Sequence, residues 1–494
     1  MTLTPLITAA QGFPALERLV SEAREEVFLS FRIFDPETPL RLPEVRARGL
    51  TTWTDLLAEV ARRGVSLRIL LADFDPLFTA DLHRLAWRSA QLIKTAVAGD
   101  TRVLCAPHGQ EAGPLWHLLM RGRIKRALDN LRSRDPGDLT PVEQTILRGS
   151  TVLRPVTIHQ KFAVADGRVS VIGGLDINER RFDTPDHDRP ADETWHDMSM
   201  QVTDERFGAA LRHHFAQSWN SALDCGASPS DGDLTPLDVA APERLEDPAL
   251  VRTLSAPCRG AGRLSPDNRI AEHEETLITA IRDARNSIYL ETQFLRHKPI
   301  ANALVQSAGQ NPDLNLIALM PPFAERVLFN SDHGWDARHA HALQVRALAR
   351  IRDAFGPRAA LVAPARPIAA DDVGPALHGA EPVYVHSKVT LIDDDFGLVG
   401  SANLNGRSLR WDTEASVRFH DPGTVADLRA QLANKWLGEA AKGADITRAA
   451  TWQEAAKRNA RRAPEARVGF VLPYPLEQVQ RFSRSLPFLP DDMF

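Results

Sequence analysis

His159, Lys161 and Asp166 recur as His386, Lys388 and Asp393, so the chain carries the pattern His-x-Lys-x-x-x-x-Asp twice. With only eight lysines in 494 residues, two intact copies do not arise from composition. This set of side chains suits phosphodiester chemistry. A phosphodiester is an anion with a poor leaving group, and its cleavage needs charge neutralisation, a nucleophile and a proton donor. Two histidines and two lysines supply all three without a metal. A neutral imidazole attacks, a protonated one delivers a proton to the leaving oxygen, and the ammonium groups grip the non-bridging oxygens. In-line displacement then requires His159 and His386 to flank one phosphate from opposite sides.

The elements that must position these groups are legible around each copy. Residues 156–164 and 383–391 alternate apolar and polar, which predicts strands with His and Lys projecting from one face. Each strand is expected to end in a turn holding the Asp. A second apolar strand follows and closes on Gly173-Gly174 with Asn178, or on Gly400-Ser401 with Asn405, whose amides are candidate donors. Further out, residues 23–34 parallel 284–295, setting Ser30 and Arg32 against Glu291 and Gln293, and residues 211–219 parallel 428–436 with apolar positions at spacing four. The expected architecture is α/β: two tandem domains, each a mixed β-sheet flanked by helices, related by pseudo-twofold symmetry that brings the motif strands edge to edge. The first domain is placed at 1–225 (motif 153–180), a linker at 226–252, and the second domain at 253–494 (motif 380–407).

Composition narrows the partners. A net charge of −5 gives no global attraction to a phosphate polymer and argues against indiscriminate nucleic-acid binding. The three cysteines show no metal spacing and are too few for a disulfide framework, with one Cys225–Cys258 bridge left open. No apolar run reaches the roughly 18 residues of a membrane span, and the N-terminus has no basic and apolar export signal. The cytoplasm is therefore the default location, with signal-independent export as the alternative. Asp183, Asp186, His187, Asp188, Asp192, Glu193 and His196 are ligand types without a fixed ligand spacing, which predicts a solvated loop over a cation site. His213, His214, His339 and His341 are expected on helix surfaces. Residues 116–132 interleave basic and apolar side chains at near-helical spacing; a helix packed on the domain is expected, with a lipid-facing lid as the alternative.

The two motifs, their Gly-Gly or Gly-Ser extensions and the flanking repeats resemble the phospholipase D superfamily over most of the chain. The resemblance implies cleavage or transfer through a covalent phosphohistidine, resolved by water or an alcohol. It implies His159 as nucleophile and His386 as general acid, with the reverse left open, and it places Lys161, Lys388, Asp166 and Asp393 in the catalytic set. The two Asp residues sit in tight turns, where Asp is favoured for local hydrogen bonding anyway. A carboxylate beyond each motif is implied to orient the histidine, and Asp197 and Glu414 occupy those positions; Gly174, Ser401, Asn178 and Asn405 complete the phosphate-binding or orienting set. No cofactor or metal is implied. Most similar is a bacterial phospholipase D acting as a monomer on phospholipid at a membrane surface. A cardiolipin synthase-like phosphatidyl transferase and a nuclease of the same superfamily are the alternatives, with an inactive adaptor behind them.

Overall fold

The computed structural model describes residues 1–227, 234–243, 246–372, 374–486 and 489–494. Seven strands form the first sheet: β1 (Thr2–Ile7), β2 (Glu26–Phe31), β3 (Ser66–Ala72), β4 (Thr101–Ala106), β5 (Phe162–Ala165), β6 (Val169–Gly173) and β7 (Met198–Thr203). Ten form the second: β8 (Ala249–Ala256), β9 (Asp267–Ala271), β10 (Ser287–Glu291), β11 (Asn315–Leu319), β12 (Ala359–Ala369), β13 (Ala380–Pro382), β14 (Val389–Ile392), β15 (Phe396–Gly400), β16 (Glu414–Phe419) and β17 (Val471–Pro473).

The duplication read from the motifs extends to topology. The first sheet runs β1-β7-β6-β5-β2-β3-β4, and the second contains β8-β16-β15-β14-β10-β11-β12 in the matching order. In both, the three strands at one end are parallel and joined through helices, while the motif strand pairs antiparallel with its neighbours. Such mixed sheets explain why the central strands read as nearly unbroken apolar runs, since both faces are covered. Strands β6 and β7 pack against β15 and β16, and one apolar cluster takes Phe162, Met198 and Met200 from the first half and Val385, Val399 and Val417 from the second. The halves therefore share a core.

Several expectations are corrected. The motif strands begin only at Phe162 and Val389, later than the alternation suggested, because the residues before them leave their own sheet. Ile158 bridges to Thr413, and Val385 bridges to His196, so each approach segment pairs with the other half and the two motif strands do not lie edge to edge. Strand β8 starts inside the segment expected as linker. Residues 234–243 of that segment run beside the helix Glu205–Asp224, where Asn220 exchanges two hydrogen bonds with Leu237 (2.9 and 2.8 Å); residues 228–233 and 244–245 lie outside the described residues. Cys105, Cys225 and Cys258 are free thiols. His214, His339 and His341 are buried in helices whose faces they were expected to expose. Among the described residues, no helix is long and apolar enough to cross a membrane.

The 183–197 segment is solvated only in part: Asp186, Asp188 and Asp192 are exposed as expected, whereas Asp183, His187 and His196 are buried. Asp183 accepts from His187 Nδ1 (2.7 Å) and from the Trp195 amide (2.6 Å), and the His187 and His196 rings pack on Trp436. The buried polar groups of the segment have partners in the interior, as buried polar groups must. Among the described residues, no three His, Cys, Asp or Glu side chains are placed to share a cation.

Candidate active site

The cross-bridges fix the reactive groups. His159 donates its amide to Thr413 O (2.8 Å) and Thr413 returns one to Thr157 O (3.2 Å); on the other side, His196 donates to Tyr384 O (2.8 Å) and His386 to His196 O (2.7 Å). These exchanges carry each carboxylate to the histidine of the opposite half. His159 Nδ1 lies 3.0 Å from Glu414 Oε2, and His386 Nδ1 lies 2.5 Å from Asp197 Oδ2. A carboxylate held at Nδ1 selects the tautomer that leaves the Nε2 lone pair free, as a nucleophile requires. The glycine at 174 has a reason: a Cβ there would collide with the Asp197 carboxylate. Its counterpart Ser401 instead donates its hydroxyl to the longer Glu414.

Lys161 and Lys388 lie almost wholly buried beneath the histidines, each donating its ammonium to the carbonyl of its own motif histidine. Lys388 Nζ also stands 2.8 Å from His386 Nδ1. Burial, followed by Lys161, Arg32, Lys388 and Arg407, holds the His159 imidazole well below its ordinary range. Burial and then Lys388, Arg181 and Lys161 do the same to His386. Burial pushes Asp197 up to about 7 against the pull of Lys388, and Glu414 up to about 8 against Lys161. Burial also brings Lys388 down to about 7. This ligand-free site is starved of negative charge, which is the condition for gripping an anion.

Not every residue singled out in the sequence is at this centre. Asp166 accepts from the amides of Arg24, Glu25 and Glu26, and Asp393 from those of Arg285, Asn286 and Ser287. Both adopt left-handed backbone, with φ of 50° and 47°, which Asp tolerates in turns. Six residues of largely extended chain separate each from its histidine, roughly 20 Å. Their placement in the catalytic set is corrected to that of clasps, each fastening a helix-to-strand corner to its motif hairpin. Asn178 caps a short 3-10 turn through the Arg180 amide (2.9 Å) and is not on the cavity wall, whereas Asn405 lines the cavity while accepting from the Ser408 amide (3.1 Å).

His159 and His386 open into one cavity of about 440 Å³. The sequence reading missed most of its polar wall: Arg32, Arg154, Arg181, Arg296 and Arg407 line it, and neither Arg32 nor Arg296 forms an ion pair among the described residues. Trp195 packs on the His386 ring at 4.6 Å and lies under the Arg181 guanidinium at 3.5 Å. Only Arg32 carried a signal, through its alignment with Gln293, which also lines the cavity. Glu291, in contrast, lies behind it. It accepts from Ser387 Oγ (2.6 Å), Tyr289 OH (2.6 Å) and Trp436 Nε1 (2.5 Å), with His196 Nε2 at 3.1 Å. Burial would raise its carboxyl, but His196 and these donors outweigh burial and hold it at about 2. The rest of the lining is largely apolar and includes Phe74, Phe78, Leu153, Leu264, Leu489 and Met493.

Comparison with known proteins agrees with this geometry. A family model described as "Cardiolipin synthase, PLD-like domain" matches residues 277–436, the second copy of the repeat. Phospholipase D1 of Schizosaccharomyces pombe is 24% identical over 348 residues, covering 54% of this chain and 25% of that protein. Cardiolipin synthase 2 of Bacillus anthracis is 22% identical over 274 residues, covering 55% of this chain and 43% of that protein. The chain thus spans less than half the length of these two relatives. Among solved structures, the phosphatidylserine synthase of Haemophilus influenzae Rd KW20 superposes with a TM-score of 0.53 at 12% identity, covering 88% of this chain and 84% of that one, a likeness of fold. With both motifs, the duplicated topology and these matches in hand, residues 277–436 match a phospholipase D-like domain and the chain as a whole is similar to the phospholipase D superfamily.

Proposed function

We propose that the protein is a phospholipase D-type phosphodiesterase that releases or exchanges phospholipid headgroups. The observation that carries this reading is the position of the two carboxylate-held histidines in one cavity lined by both arginines and apolar side chains. An acyl chain suits the apolar lining; a phosphate ladder needs a continuous basic groove with stacking platforms.

In this scheme His159 Nε2 attacks phosphorus, forming a P–N bond as the P–O bond to the headgroup breaks. His386 Nε2–H gives its proton to the departing oxygen. Water then attacks phosphorus, passing its proton to His386, and the P–N bond breaks to release phosphatidic acid and free His159. An alcohol in place of water gives the phosphatidyl alcohol. Lys161, Lys388 and Arg32 balance the phosphate charge, while Asp197 and Glu414 steady the imidazolium and the attacking tautomer. A second reading, phosphatidyl transfer to a lipid hydroxyl, is favoured by the cardiolipin synthase matches. Both use the same centre and differ in the acceptor.

The test is headgroup release from phospholipid, with and without a primary alcohol, alongside cleavage of single-stranded DNA by the same sample. Lipid turnover that diverts to phosphatidyl alcohol, and falls by about 10²–10⁴ in His159→Ala and His386→Ala, is expected. DNA cleavage without lipid turnover would overturn the reading in favour of a nuclease.

A further inference from the structure

The described residues expose seven large apolar side chains; two of them, Phe78 and Trp335, line the cavity, and three more, Leu115, Leu118 and Leu119, stand on a helix that also lines it. The three leucines stand on the first turns of the helix Pro114–Arg132, and they are 50%, 59% and 64% exposed. Spaced three and four apart, they form one outward face. The neighbouring Trp116 and Met120 turn inward and line the cavity. On its inner side Ile124 and Leu131 are buried, and Trp116, Met120, Ala127 and Leu128 pack against the same apolar cluster, so the helix packs on the domain as its sequence led one to expect and leaves the leucine face outward.

Behind the leucines the same helix turns basic. Arg121, Arg123, Lys125 and Arg126 are exposed, and none of the four forms an ion pair among the described residues; Asp129 is the helix's one acidic residue. Arg123 and Arg126 join Arg84 and Arg134 around a pocket between this helix and the helix Ala80–Ala96. This local charge opposes the chain's overall −5. An apolar face followed by unpaired cations, on a helix whose inner side is the wall of the reaction cavity, is the composition of an element that lies in a lipid interface.

We propose that the helix Pro114–Arg132 docks the protein on an anionic bilayer, with Leu115, Leu118 and Leu119 inserted among the acyl chains and Arg121, Arg123, Lys125 and Arg126 on the headgroups. The proposal rests on the phospholipid reading of the site and adds the surface by which that substrate is met. Continuity between the inserted face and the cavity wall lets a lipid pass from bilayer to site along Trp116 and Met120 without crossing water.

The experiment uses the full chain, phosphatidylglycerol–phosphatidylcholine vesicles and vesicles of phosphatidylcholine alone, with co-sedimentation as the binding readout and a soluble aryl phosphodiester as an independent measure of the centre. The triple variant Leu115→Ser/Leu118→Ser/Leu119→Ser replaces side chains outside the cavity wall. It is expected to turn over the soluble diester within about twofold of the parent, and to bind anionic vesicles at least about tenfold more weakly. Arg123→Gln/Arg126→Gln should weaken anionic binding by about fivefold per charge and leave binding to neutral vesicles unchanged. Undiminished vesicle binding by the triple variant would overturn the proposal, as would a parent that ignores vesicle charge, or a concentration-dependent dimer that the triple variant abolishes. If the parent binds anionic vesicles through this helix yet cleaves only non-lipid diesters, the docking surface stands and the phospholipid reading falls.

Discussion

The two histidines are each held at Nδ1 by a carboxylate from the other half, and all of the titrating groups around them respond to an incoming anion in one direction. Asp197 at about 7, Glu414 at about 8 and Lys388 at about 7 are protonated only in part near neutrality, and both imidazoles are held low. A bound phosphate favours the protonated form of every one of them. Binding an inert phosphate analogue near pH 7 should therefore take up protons, and affinity should be greatest below about pH 7 and fall as pH rises through about 8. Calorimetry in two buffers of different ionisation enthalpy measures this; proton release, or affinity that strengthens with pH, would contradict it. The same coupling would let His386 act as an acid in the proposed scheme although burial and then Lys388, Arg181 and Lys161 depress it, since a phosphate would neutralise those charges. The His and Lys pairs were legible because chance does not duplicate them. Arg181, Arg296 and Arg407 were not, because nearly all of the 59 basic residues are arginine and nothing local marks the few that face the cavity.

At the scale of the elements, Asp166 and Asp393 each tie three amides at the mouth of a neighbouring strand to the motif hairpin. Asp393→Ala and Asp166→Ala should each cost about 1–3 kcal/mol of stability while leaving turnover per folded molecule near that of the parent. Urea unfolding with parallel activity separates the outcomes: lost turnover at unchanged stability would return the aspartates to the chemistry. Alternation of apolar residues led one to expect strands running through His159 and His386, and the chain does stay extended there. What alternation cannot show is which partner an extended segment bonds. Residues 157–159 and 384–386 give their backbone groups to the opposite half, and the exchange of Glu414 and Asp197 follows from that choice. The 183–197 segment was read only in part for a related reason: Asp186, Asp188 and Asp192 do face solvent, but nothing local shows that Asp183 closes on His187 and the Trp195 amide.

For the whole molecule, the internal repeat told the architecture well, since matching motifs, helix ends and Trp219 with Trp436 all recur in two sheets of the same strand order. The apolar cluster common to both sheets and the crossed histidine–carboxylate pairs make the two halves one structural unit, which no inspection of either copy alone reveals. The central claim is that this unit passes a phosphatidyl group through His159, with His386 as its acid from across the interface. Rapid quench into alkaline denaturant during turnover of phosphate-labelled phospholipid, followed by peptide mapping, tests it most directly. The account predicts label on the peptide carrying His159, and none in His159→Ala. Label on His386 would contradict the assignment of roles, and absence of any adduct together with inversion at a chiral phosphorus would contradict the two-step scheme itself.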